Sequence, residues 1–77
     1  MDDELRAVFS EVLGINPEQI SPEMSPTTEP KWDSLATASL IAAIEKQFDL
    51  VLGFDELMEF TTYESMSNIL SQRRAES

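Results

Sequence analysis

A chain of 77 residues, 42% of them hydrophobic, has material for one small core and none for a second. Fifteen acids against five bases leave a net charge of −10, which disfavours nucleic acid and anionic membranes as partners and favours basic protein surfaces. With no Cys and no His, the chain lacks a thiolate, a disulfide framework and the commonest general base and zinc ligand, so neither catalysis by the chain alone nor a metal centre is expected.

The opening run MDDELRAVFSEVLG is acidic and amphipathic, with neither a basic leader nor a long apolar stretch, which points to the cytoplasm. Leu5, Val8, Phe9, Val12 and Leu13 fall at helical spacing, acids crowd the first turn and Gly14 is a stop, which predicts a first helix. From Ile15 to Trp32 the chain carries Pro17, Pro22, Pro26 and Pro30 among Ser, Thr and Asn, and reads as a long loop. Ile15, Ile20 and Met24 are expected to pin that loop to the core.

A second helix is predicted from about Ser34 to Phe48. Leu40, Ile41, Ile44 and Phe48 form a core stripe on it, while Leu35, Ala38 and Ala42 gather on another side. That second stripe is explained either by alanine's helix propensity or by a docking surface. Ser34 and Asp33 are both suited to cap the helix start. A short helical turn is expected around Asp55 to Glu59, then a last helix from about Thr62 to Gln72. There Thr61 or Thr62 is the cap, Met66, Ile69 and Leu70 are the inner stripe, and Arg73 and Arg74 suit the negative helix end.

With few aromatics, the core is expected to be aliphatic with some Phe, burying Leu13, Leu40, Ile44, Phe48, Leu52, Phe60, Met66 and Ile69 together. Asp55, Glu56 and Glu59 read as a solvated helix face, because no segment has the ligand spacing of a calcium-binding EF-hand loop.

The run DSLATASLIAAIEKQFDLVLGFDELMEFTTYESMSNIL, Asp33 to Leu70, resembles the acyl carrier protein family. The likeness rests on the Asp-Ser-Leu start, Leu40-Ile41, Ile44-Glu45, Phe48-Asp49, Leu52, Asp55-Glu56, Phe60, Thr61-Thr62 and the Ile69-Leu70 ending, all in one register without a gap. It implies an all-α fold, a four-helix bundle with a long loop between helices 1 and 2 and a short third helix, occupying residues 1–77 as one domain. It also implies that Ser34 carries 4′-phosphopantetheine through a phosphodiester, and that the arm's thiol holds an acyl or aminoacyl group as a thioester. A phosphopantetheinyl transferase must attach the arm, since no base beside Ser34 is evident. A loading ligase or synthase must then fill it.

Two departures shape the expectation. Lys31-Trp32 stands where many members have glycine just before the Asp-Ser-Leu run, and Ser39, Lys46 and Gln47 thin the acids usual along helix 2. A carrier for a specialised pathway is therefore expected, monomeric, with Trp32, Asp33, Leu35, Ala38 and Ala42 as its docking residues. Trp32 is equally suited to packing against the loop. The competing reading is an acidic helical interaction module that is never modified.

Overall fold

The computed structural model describes the backbone of residues 2–76 and the side chains of residues 3–73. Its helices are α1 (Asp2–Leu13), α2 (Ser34–Phe48), α3 (Phe54–Glu59) and α4 (Tyr63–Glu76), with a 3-10 turn at Pro17–Gln19 inside the long loop. Among the described residues there is no strand, and the fold is an all-α bundle with a short third helix. α1 packs on α2, and α3 packs on α4.

The first helix ends where a left-handed residue is needed. Gly14 has φ +67°, and its N–H and that of Ile15 both return to the Ser10 carbonyl, at 2.9 and 3.2 Å. At the end of α2 the same conformation falls to Asp49, φ 53°, whose N–H bonds back to Glu45 O.

The loop is anchored by polar contacts as well as apolar ones. Ile20 and Met24 are buried and Ile15 packs against the core. Arg6 of α1 donates to the carbonyls of Ile20 at 2.8 Å and Pro17 at 3.2 Å, with its guanidinium over the Tyr63 ring. The loop in turn caps α4, since the N–H groups of Tyr63 and Glu64 bond the carbonyls of Met24 and Pro22, both at 3.0 Å. Thr62 is the side-chain cap. Its hydroxyl accepts from Ser65 N at 3.0 Å and Ser65 Oγ accepts from Thr62 N at 2.9 Å, a reciprocal box with Ser in the usual Glu position.

The core differs from an aliphatic one. Leu5, Leu13, Leu40, Ile44, Leu52, Met66, Ile69 and Leu70 are buried, but Phe9 is the hub of an aromatic cluster. Trp32, Phe60 and Tyr63 lie 5.3, 6.1 and 5.0 Å from the Phe9 ring, each edge-on. Phe48 and Phe60, expected among the fully buried residues, are half-buried at the margin. α2 presents Leu40 and Ile44 inward and turns Phe48, at its last turn, toward the edge.

Arg73 also differs from expectation. Instead of serving its own helix end, it reaches α3, with Nε on Glu56 Oε2 and Nη2 on Glu56 Oε1, both at 2.7 Å, and Nη2 also donates to Val51 O. Arg74 has its side chain outside the described residues.

Candidate functional site

The first turn of α2 divides its work between adjacent residues. Asp33 has extended backbone and its Oδ1 accepts the Ala36 N–H at 2.8 Å, so Asp33 is the N-cap and Ser34 is the first helical residue. The carbonyl of Asp33 accepts the Thr37 N–H at 2.9 Å and the Thr37 hydroxyl at 3.0 Å. Ser34 is exposed, and among the described residues its hydroxyl has no hydrogen-bond partner. Of the two residues suited to cap this helix, the structure selects Asp33: its extended backbone lets its carboxylate take the Ala36 N–H, and the serine oxygen is left over.

The segment before α2 needs no glycine. The left-handed residues among those described are Gly14 and Asp49 only, and Trp32 is held in a turn by its N–H on Glu29 O at 3.0 Å. Lys31 points away, donating through Nζ to Gly14 O at 3.3 Å.

Trp32, expected among the docking residues, belongs to the core. Its side chain is 2% exposed, between Phe9 and Phe60, and its Nε1 donates to Thr37 Oγ1 at 2.8 Å. A large apolar ring in a proline-rich loop gains most by closing over the bundle, and Thr37 satisfies its one polar atom.

The rest of the expected docking set is on the surface. Asp33, Leu35, Ala38 and Ala42 are all exposed, Leu35 at 78%. Ser39 and Lys46 flank them, also exposed. The sole acid of α2, Glu45, is half-buried and accepts the Leu52 N–H at 2.9 Å. The outer face of α2 therefore offers apolar surface and one cation, while the acids of the chain other than Glu45 lie outside this helix.

Three further exposed apolar residues escaped the sequence reading: Val51 and Phe54 at 75% and Met58 at 67%. The signal was present for two of them, because Phe54 and Met58 are one helical turn apart on α3 while Leu57 is turned inward. Between α1 and α2 lies a shallow groove of about 370 Å³ lined by Val8, Glu11, Val12, Ala43, Lys46 and Gln47, with Ser34 outside its lining. Among the described residues no cluster of carboxylates could hold a metal ion, and no helix is long and apolar enough to cross a membrane.

Comparison with known proteins places this geometry in context. Residues 3–70 match the family described as "Phosphopantetheine attachment site". The acyl carrier protein of Cyanidioschyzon merolae (strain NIES-3377 / 10D) is 32% identical over 72 residues, covering 94% of this chain and 79% of that protein. In acyl carrier proteins this domain is where 4′-phosphopantetheine is covalently attached. An all-helical bundle, a family match over most of its length and a relative aligned almost end to end agree: the chain belongs to the acyl carrier protein family.

Proposed function

We propose that Ser34 is the attachment point of 4′-phosphopantetheine and that residues 1–77 act as one carrier unit, presenting a thioester-bound acyl or aminoacyl group to partner enzymes. The observation that carries the reading is the free hydroxyl. Asp33 has taken the capping role, so Ser34 stands exposed at a helix start with its oxygen uncommitted among the described residues. A phosphodiester on that oxygen lies beside the unpaired N–H groups and the positive end of the α2 dipole, where an anion is tolerated.

The arm, when bound, supplies the thiol that this Cys-free chain lacks. The chain's own part is to hold Ser34 outward, to keep its first turn fixed and to offer a face for recognition. It does not activate the serine, because no His is present and the neighbouring Asp33 carboxylate is committed to Ala36 N. The base comes from a phosphopantetheinyl transferase: the Ser34 Oγ–P bond forms at the pantetheine-side phosphorus of coenzyme A, the bridging P–O bond of its diphosphate breaks with adenosine 3′,5′-bisphosphate leaving, and the hydroxyl proton passes to that base.

The exposed Leu35, Ala38 and Ala42 support recognition of transferase and loading enzyme by shape and apolar contact. The scarcity of free acids on α2 favours a dedicated ligase or synthase of a specialised pathway, and we take the carrier to work there as a monomer in the cytoplasm.

The test is incubation with coenzyme A, magnesium and a broad-specificity transferase, read by intact-mass and peptide mass spectrometry. Wild type gains one phosphopantetheine on Ser34 and Ser34→Ala gains none. An adduct on Ser39 or Ser10, or none with several transferases, overturns the assignment and leaves an unmodified interaction module.

A further inference from the structure

The two residues on each side of Ser34 and Leu35 are all committed. Trp32 is locked in the aromatic cluster and through its N–H on Glu29 O. Asp33 is bonded through its carboxylate to Ala36 N and through its carbonyl to Thr37. Ala36 is half-buried against the core, and Thr37 both accepts from the Trp32 indole at 2.8 Å and donates to Asp33 O at 3.0 Å. This short chain of hydrogen bonds, Trp32 Nε1–H to Thr37 Oγ1–H to Asp33 O, crosses from the buried side of the first turn to its backbone. Ser34 and Leu35 are the residues left facing outward, one offering an oxygen and the other an apolar contact.

From this juxtaposition we infer that Trp32 is a positioning residue for arm transfer, acting through Thr37. The indole is anchored by Phe9 and Phe60, so its N–H is a fixed point in the core. By holding the Thr37 hydroxyl in the rotamer that bonds Asp33 O, it restrains the first turn of α2 and hence the direction of the Ser34 Cα–Cβ bond. A nucleophile held in one direction loses less freedom on reaching the attacking geometry, and small misplacements of a reacting oxygen are costly. The flanking segment, residues 29–33, contains no glycine to loosen it. A buried donor restrains it further.

The inference rests on Ser34 as the attachment point, and the experiment separates the two. Thr37→Val keeps the volume and branching of the side chain and removes the acceptor. Trp32→Phe keeps an aromatic ring in the cluster and removes the donor. Neither substitution touches Leu35, Ala38 or Ala42. Steady-state transfer kinetics with varied apo-carrier should therefore show kcat lowered on the order of tenfold in each variant with KM unchanged, because docking is intact and orientation is not. The double variant should be no slower than the worse single one, since both break the same link.

A purely structural role gives a different pattern. A partly unfolded population lowers the competent concentration and raises the apparent KM, while kcat recovers at saturation. As an independent readout, the single tryptophan gives one indole N–H resonance, which should shift and exchange faster in Thr37→Val. Wild-type kcat in both variants, or a raised KM at unchanged kcat, overturns the positioning role while Ser34 remains the acceptor. Transfer to Ser34→Ala, or none to wild type, overturns the attachment site instead.

Discussion

Arg73 lies as a two-pronged clamp on Glu56, joining the end of α4 to the first turn of α3, with both N···O separations 2.7 Å. The hydrogen bonds from Arg73, then that from Gly53 N at 2.8 Å, hold the Glu56 carboxyl down to about 2 from its ordinary 4.5. A folded-state pKa below the unfolded value stabilises the fold above the unfolded value and ceases to do so as pH falls through the folded one. The clamp's contribution is therefore complete above about pH 4.5 and lost by about pH 2. Since both partners are partly exposed, solvent screening reduces it to about 1 kcal/mol. Urea midpoints of wild type and Glu56→Gln should differ at pH 7 and converge toward pH 2; a constant gap would mean that the ion pair contributes nothing.

Asp33 and Ser34 should respond oppositely to truncation. Asp33→Ala removes the side chain that holds Ala36 N and should cost about 1 kcal/mol of stability. Ser34→Ala removes an oxygen that bonds nothing among the described residues and should leave the melting point within about 0.5 kcal/mol of wild type. Thermal melts of the two variants decide it. A larger loss for Ser34→Ala would make the serine a structural cap after all.

The aromatic hub makes a similar contrast. Phe9 is completely buried and touches three other rings, so Phe9→Ala should cost about 3–5 kcal/mol, enough to unfold much of so small a domain. Phe48 is only half-buried, so Phe48→Ala should cost about half of that, near 1.5–2.5 kcal/mol. Denaturant unfolding gives both values, and equal losses would place Phe48 as deep as Phe9.

Local signals explain which of these features could be read in advance. Gly14, the 3.6-residue periodicity and the proline run delimit α1, the loop and α2, because each acts within a few neighbouring residues. The capping assignment was undetermined for a physical reason: Asp33 and Ser34 are adjacent and both qualify, and only the backbone conformation at 33 decides which oxygen reaches Ala36 N. Trp32 was undetermined in another way. A single aromatic in a loop has no periodicity, and its partners Phe9, Phe60 and Thr37 come from three separate helical or flanking segments. The same distance effect hid Arg73, which pairs with a residue 17 positions away.

Asp49 is a local misfit open to repair. It adopts φ 53° and ψ 55° at the end of α2, a conformation that disfavours a residue with a Cβ, and its negative charge sits at the negative end of the dipole. Asp49→Gly removes both penalties and Asp49→Asn removes the second. Each should raise stability by about 0.5–1 kcal/mol, seen as a higher urea midpoint. Destabilisation by both would reveal a native contact of the carboxylate.

The outer face of α2 offers the last test. Leu35, Ala38 and Ala42 are exposed, Glu45 is engaged with Leu52 N, and the charges beside them are Lys46 and, at the helix start, the capping Asp33, so a partner reading this face meets few ion pairs. Rising salt should then slow transferase and loading reactions only slightly, whereas recognition through a row of acids would weaken steeply. Ala42→Glu adds a charge on the solvent side and should leave the helix intact, since Glu is a good helix former, while slowing loading by a cognate ligase or synthase severalfold. Leu35→Asp should slow arm transfer in the same way, because it replaces the apolar contact nearest Ser34 in the chain by a charge the partner must desolvate. Rates against salt for wild type and both variants, with circular dichroism as the folding control, give the answer. If both variants react at wild-type rates, the exposed stripe reflects helix propensity alone; if salt by itself abolishes loading, recognition runs through the acids of α1, α3 and the loop.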